Sequence, residues 1–247
     1  MHWRGYVVPS DHNYAGIGAY TGSDRYMCKP TPRRGIRAQI QHLRNYADPA
    51  SVSTNLGAPF ESRPKYDANA FNTFVYKGAA PRWIDLNGKW AVPGSDYGHR
   101  ILKICGEVIG QSTLSLSTRI MGANQITAAQ LAARVRAVGN PWKPEISPES
   151  MAAIYIDEGR MAGVRGDVAF CQSILETGWF SWPSSPASAS TEATAGGDQS
   201  EPSITTEGDE STTTTVPGEP TTTTTTVPVT DPVLDGYFEL QHARTRN

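Results

Sequence analysis

The residue best placed to do chemistry is Glu176, in the string CQSILETGWF at 171–180. It falls in the last turn of an expected helix, just before a stop made of Gly178 and aromatic residues. A helix C-terminus carries partial negative charge, and Leu175, Trp179 and Phe180 are apolar sequence neighbours. Both features disfavour the ionised carboxylate. A carboxylic acid kept protonated near neutral pH is what glycosidic cleavage needs, because the leaving oxygen must accept a proton. Other chemistries lack their residues. Cys28, Cys105 and Cys171 have no zinc-site spacing, and the sequence holds no GxSxG, HExxH or phosphate loop. The histidines form no metal constellation; His12, in a turn, and His42, mid-helix, read as structural. No metal and no cofactor are expected. The odd cysteine count leaves at least one thiol outside any internal pair, and the expectation is three packed or unpaired thiols.

The elements that must position Glu176 lie in a body covering residues 1–182. This body carries 20 basic and 14 acidic residues, a net of +6, whereas 183–232 carries 8 acidic residues and no Lys or Arg. The body is long enough to bury a real core. No run of about 18–20 apolar residues is present, so no membrane span is expected. The mild, unclustered positive charge argues against nucleic acid as a partner. The opening MHWRGYVVPSDHNYAG has no apolar signal-peptide core. The expectation is therefore a chain not secreted in this form, or one whose start lies elsewhere.

Five helices are expected in the body. In RRGIRAQIQHLRNYA, Ile36, Ile40, Leu43 and Ala47 recur at spacings of 4, 3 and 4. An irregular stretch, 48–94, leads to a second helix in SDYGHRILKICGEVIG, capped by Ser95 or Asp96. Residues 114–182 read as purely helical. Thr127 caps an Ala-rich helix ending at Gly139, and Ser147 with Pro148 opens another. The last helix has Asp167 near its start, Val168, Cys171 and Leu175 on one face, and Gly178 at its end. Asp157 and Glu158 read as a solvated face. The Ser/Thr/Pro-rich segment 183–232 is expected to be a disordered spacer, and 233–247 is a short tail without a functional reading.

At this point the residues resemble a known family. YIDEGRMAGVRGDVAFCQSILETGWF looks like the core of the bacterial glucosaminidase domain of autolysins and flagellar-rod hydrolases, in which a helix-ending Glu is the general acid. That role falls on Glu176. DHNYAGIGAYTG resembles the family's cleft-lining NxxGIG element and implicates Asn13, Tyr14, Gly16, Ile17 and Gly18. GIRAQIQHLRNYA resembles the helix after a small β lobe. KWAVPGSDYGHRILKI resembles the terminal WA…D..Y…I element, implicating Tyr97, with Trp90 nearby. The four motifs together cover nearly all of residues 3–182.

Their order is permuted. In the family the Glu helix comes first; here residues 1–113 resemble the C-terminal half and 114–182 the N-terminal half. A permuted single domain is the expected shape, joined through QSTLSLSTR at 111–119. A fragment of tandem repeats or a join would give the same order, and so would a domain-swapped dimer of complementary halves.

The resemblance implies a mainly α (α+β), lysozyme-like body with one small β-hairpin near 16–33. The implied partner is the peptidoglycan glycan strand, cut at the β-1,4 bond after N-acetylglucosamine, in an extracellular or wall-associated setting. Glu176 would protonate the leaving oxygen. Asp24 is the expected second carboxylate, with Asp11 as a fallback and neighbouring-group help from the N-acetyl carbonyl left open. Tyr97 would hold the acetamido group or the water. Asn13, Tyr14, Gly16, Ile17, Gly18, Trp179 and Trp90 would bind the substrate. The competing functions are a catalytically incompetent glycan-binding remnant and an N-acetylmuramoyl-alanine amidase-type hydrolase.

Overall fold

Thr31 leaves an extended run, its side chain accepts the Arg34 N–H, and Pro32 takes the first helical position. Helix α1 therefore starts at Pro32 and spans Pro32–Ala47, and all four residues of the expected apolar stripe are buried. The computed structural model describes residues 7–19, 24–90 and 94–182. The expected disordered spacer and the tail at 233–247 lie outside the described residues. A short helix, α2 (Ala68–Asn72), capped by Asp67, interrupts the stretch read as irregular. α3 spans Tyr97–Val108 after Asp96, whose side chain makes no capping bond.

α4 (Ala128–Val138) begins in a reciprocal cap between Thr127 and Gln130 and ends at Gly139 in the left-handed conformation. α5 (Pro148–Ala162) is capped by Ser147 and stopped by Gly163. α6 (Gly166–Thr177) ends at Gly178, φ 60°. The body is thus mainly helical. Among the described residues two 3-10 turns, Pro9–Asp11 and Trp83–Leu86, accompany the helices.

α6 is the central helix. Every residue from Gly166 to Thr177 is buried except Leu175. Burial extends well beyond the expected face of Val168, Cys171 and Leu175: Leu175 is half-buried, while Glu176 beside it is 6% exposed. A helix enclosed on all sides has no solvent face on which a polar residue can be discarded. α5 crosses α6 so closely at Gly166 that a Cβ there would lie 2.0 Å from the Tyr155 carbonyl oxygen.

One continuous core draws on both segments. It contains Ile36, Leu43 and Ile101 from the first and Met151, Phe170 and Ile174 from the second. α1 packs on α5, and α3 packs on α6. A disulfide between Cys105 in α3 and Cys171 in α6, Cα atoms 5.7 Å apart, ties the segments covalently. This corrects the expectation of unpaired thiols: the partners are 66 residues apart in sequence and meet only in the tertiary structure. Cys28 is free and exposed.

Glu158 is a second correction. It is 1% exposed, held by Arg37 (2.9 Å) and Arg33 (2.8 Å) of α1. Arg37 also faces the buried Glu61 at 3.5 Å. Charges are buried here because they are paired. Asp157 next to it stays partly solvated and is shared by Arg33 and Arg160.

The small β-hairpin is not formed by the described residues of 16–33, whose segment 20–23 lies outside them. Instead, turns on either side are joined by a hydrogen bond from the Met27 N–H to the Ile17 carbonyl. Gly18, at φ +67°, lets the arms approach, since a Cβ there would meet the Arg25 carbonyl oxygen at 2.1 Å. Isolated bridges, such as Met121 with Val164, are the β pairing among the described residues. No helix among them is long and apolar enough to cross a membrane.

Candidate active site

Glu176 occupies the last turn of α6 and is 6% exposed. Tyr97, the first residue of α3, donates its hydroxyl hydrogen to Glu176 Oε1 over 2.5 Å. The two residues are 79 apart in sequence and come from opposite segments. The Tyr97 oxygen accepts from Gln172 Nε2 at 2.8 Å, one turn back along α6. Gln172 Oε1 accepts from Gln39 Nε2 of α1, also at 2.8 Å. Gln39 Oε1 accepts from Tyr155 of α5 (2.7 Å) and Ser173 of α6 (3.0 Å). All of these groups are buried. A polar chain in such a place is tolerated because its members satisfy one another.

Beyond Glu176 the chain turns sharply. Gly178 is left-handed, and Trp179, Phe180 and Trp182 follow at φ 63°, 58° and 39°. Three bulky residues with positive φ are unusual and signal local strain. The turn is held by hydrogen bonds from Trp179 N–H to the Ile174 carbonyl and from Trp182 N–H to the Thr177 carbonyl. It drives Phe180 into the core and lays Phe180 and Trp182 against Tyr14, each with ring centroids 6.2 Å away. The Asn13–Gly18 turn is thus seated beside the end of the Glu176 helix.

Within that turn the expected ligands are mostly spent on structure. Asn13 is buried and clamps the loop, donating to the Ile17 carbonyl and accepting the Ile17 N–H, both at 2.9 Å. Tyr14 and Ile17 are core residues, and burial pushes the Tyr14 phenol pKa far up. Gly16 and Gly18 keep partial exposure, so this turn offers backbone rather than side chains to a ligand.

The remaining site residues sit elsewhere. Asp24 is exposed and paired with Lys65; the structure does not join it to Tyr97 or to the glutamines. Asp11 is occupied by Tyr26 and by the Val8 N–H. Trp90 is 3% exposed and packs on His42, ring centroids 5.2 Å apart, so its indole belongs to the core rather than to a groove. Trp179 is half-buried, with the Arg134 guanidinium 5.5 Å over its ring. Asp167 is held as a structural group. It is fully buried, gripped by Arg165, and accepts the N–H groups of Gln125 and Ile126. Among the described residues no three His, Cys, Asp or Glu side chains gather as a metal site requires.

Gln39, Gln172, Tyr155 and Ser173 were missed by the sequence reading. Gln39 does lie three residues after Ile36 and four before Leu43, on the apolar stripe of α1. Gln172 lies four after Val168 on α6. A polar residue on an apolar stripe is the signal that could have found them.

No family model matches the chain, and no solved structure matches it. The chain is similar to a protein of Borreliella burgdorferi described as "Uncharacterized protein", 29% identical over 109 residues. The match covers 44% of this chain and 48% of that protein, so the chain spans about half the length of the relative it matches.

Proposed function

We propose that the protein is a peptidoglycan hydrolase of the glucosaminidase type, cleaving the β-1,4 bond after N-acetylglucosamine with Glu176 as general acid. The reading rests on the likeness of four sequence motifs to that family. Its main support is the Tyr97–Glu176 hydrogen bond, which draws two of those motifs together from opposite segments. Tyr14 against Phe180 adds the third motif to the same place.

On this reading the two segments form one permuted domain within a single chain, so a swapped partner is not required. Glu176 gives its proton to the leaving oxygen, and Tyr97 fixes the carboxyl. Asp24 is exposed and paired with Lys65, which favours substrate assistance over Asp24 as the second carboxylate. The neighbouring N-acetyl carbonyl of the substrate is then the group that stabilises the developing positive charge. The net positive body favours an anionic wall in a salt-dependent way, and a wall substrate implies action outside the cytoplasm.

The test is zymography on purified cell wall with wild type and Glu176→Gln. Clearing by wild type alone supports the proposal. Equal clearing removes Glu176 from the mechanism. Wall binding without clearing by either points to a glycan-binding protein that retains the cleft but not the chemistry.

A further inference from the structure

From Gln39 onward, the hydrogen bonds behind Glu176 run one way. The Tyr155 and Ser173 hydroxyls, hydrogen-bonded to each other with either as donor, face Gln39 Oε1, which accepts from this pair; Gln39 Nε2 donates to Gln172 Oε1; Gln172 Nε2 donates to the Tyr97 oxygen; Tyr97 donates to Glu176 Oε1. The direction is anchored at a group that cannot be reversed. Gln39 Nε2 also donates to the backbone carbonyl of Ala169, at 3.2 Å. A carbonyl oxygen only accepts, so the Gln39 amide cannot flip without setting oxygen against oxygen. With Gln39 fixed, a flipped Gln172 would set its NH2 against the NH2 of Gln39. Gln172 therefore presents its NH2 to Tyr97, and the Tyr97 hydrogen is directed to Glu176.

We propose that Gln172 and Gln39 are positioning residues for Glu176: they hold Tyr97 as a one-way donor to Oε1, which keeps the transferable proton on Oε2. A carbonyl-type oxygen accepts such a bond better than a carboxylic hydroxyl oxygen, so a neutral Glu176 carries its hydrogen on the oxygen that Tyr97 does not address. Successive donation along the chain also strengthens the last bond. The inference rests on the proposed role of Glu176 for its catalytic consequence, but the hydrogen-bond polarity can be tested without any activity.

The experiment uses the full chain labelled with 13C at glutamate side-chain carboxyls, in wild type, Gln172→Met, Gln39→Met and Tyr97→Phe, and in the double variant Tyr97→Phe/Gln172→Met. Glu176 is assigned by Glu176→Gln. Removing the Gln172 donor weakens Tyr97 as a donor to the carboxylate. The midpoint of the Glu176 titration is expected to rise by about half a pH unit in Gln172→Met and by less in Gln39→Met. In the Tyr97→Phe background, Gln172→Met is expected to add no shift, because the route is cut. On cell wall, Gln172→Met is expected to lower kcat by about tenfold with KM unchanged.

An unchanged midpoint in both glutamine variants would overturn the proposal, as would an equal shift with and without Tyr97. The titration result stands if no variant, wild type included, cleaves cell wall; that outcome removes the hydrolase reading alone. Should Gln172→Met fail to fold, Gln39→Met with Tyr97→Phe/Gln39→Met forms the same cycle one bond further back.

Discussion

The hydroxyl of Tyr97 donates to Glu176 Oε1 across the seam between residues 1–113 and 114–182. Neither residue has this partner without closure of the two segments. The bond thus reports both the fold and the site. Tyr97→Phe keeps the ring and removes the donor, leaving Gln172 Nε2 buried without its acceptor. The expected cost is about 1–3 kcal/mol, readable as a lower midpoint in urea unfolding. Wall clearing is expected to fall as well. A variant as stable and as active as wild type would show that the bond contributes to neither.

Cys105–Cys171 links α3 to the central helix and closes a long loop that contains α4 and α5. Cys105→Ala/Cys171→Ala is expected to lose roughly 2–5 kcal/mol. Melting with and without a reductant gives the same comparison on the native chain. Identical melting curves would mean that packing alone holds the segments together.

Glu158 joins α1 to α5 through Arg33 and Arg37. Glu158→Gln keeps the shape and leaves Arg37, itself only 17% exposed, facing a neutral amide. Loss of one partner of a buried pair costs several kcal/mol; the partial solvation of Arg33 and the Glu61 carboxylate that still faces Arg37 at 3.5 Å reduce this to about 2–3 kcal/mol. Unfolding in urea measures the loss. A change under 0.5 kcal/mol, an order-of-magnitude bound for surface positions, would place the residue on a solvated face after all.

His42 is boxed in by Tyr46, Phe74 and Trp90, with ring centroids 5.1–5.2 Å away. Burial, reinforced by the Arg63 charge, holds its pKa well below the ordinary 6.5. The unfolded chain therefore binds a proton that the folded chain refuses once the pH falls below 6.5. Stability from this residue is full above that pH and declines on acidification until the folded-state pKa is reached. The slope approaches about 1.4 kcal/mol per pH unit. Urea unfolding between pH 7 and pH 5, in wild type and His42→Phe, checks it; the slope should flatten in the variant.

The helices were legible because their signals are local. Thr127, Ser147 and Gly178 mark boundaries that the backbone obeys, and the Ile36–Leu43 stripe is buried as its period requires. The site was legible at Glu176 and Tyr97 only through a likeness between motifs; spacing alone does not connect residues 79 apart. Asn13 was read as a ligand because an exposed turn and a turn that hydrogen-bonds to itself look alike in sequence. Glu158 and Leu175 were misplaced for one reason. Periodicity assumes a single buried face, whereas α6 is enclosed on all sides and α5 buries a charge against α1. The disulfide and the glutamine chain depend on contacts between distant segments, which no local pattern carries.

The most direct test of the proposed activity is the chemistry of the chain ends released from purified peptidoglycan. Digests made with wild type and Glu176→Gln are reduced with borohydride and analysed by mass spectrometry. New reducing ends at N-acetylglucosamine with wild type, and none above background with Glu176→Gln, are the predicted result. New ends at N-acetylmuramic acid, free stem peptides, or equal release by both proteins would contradict it.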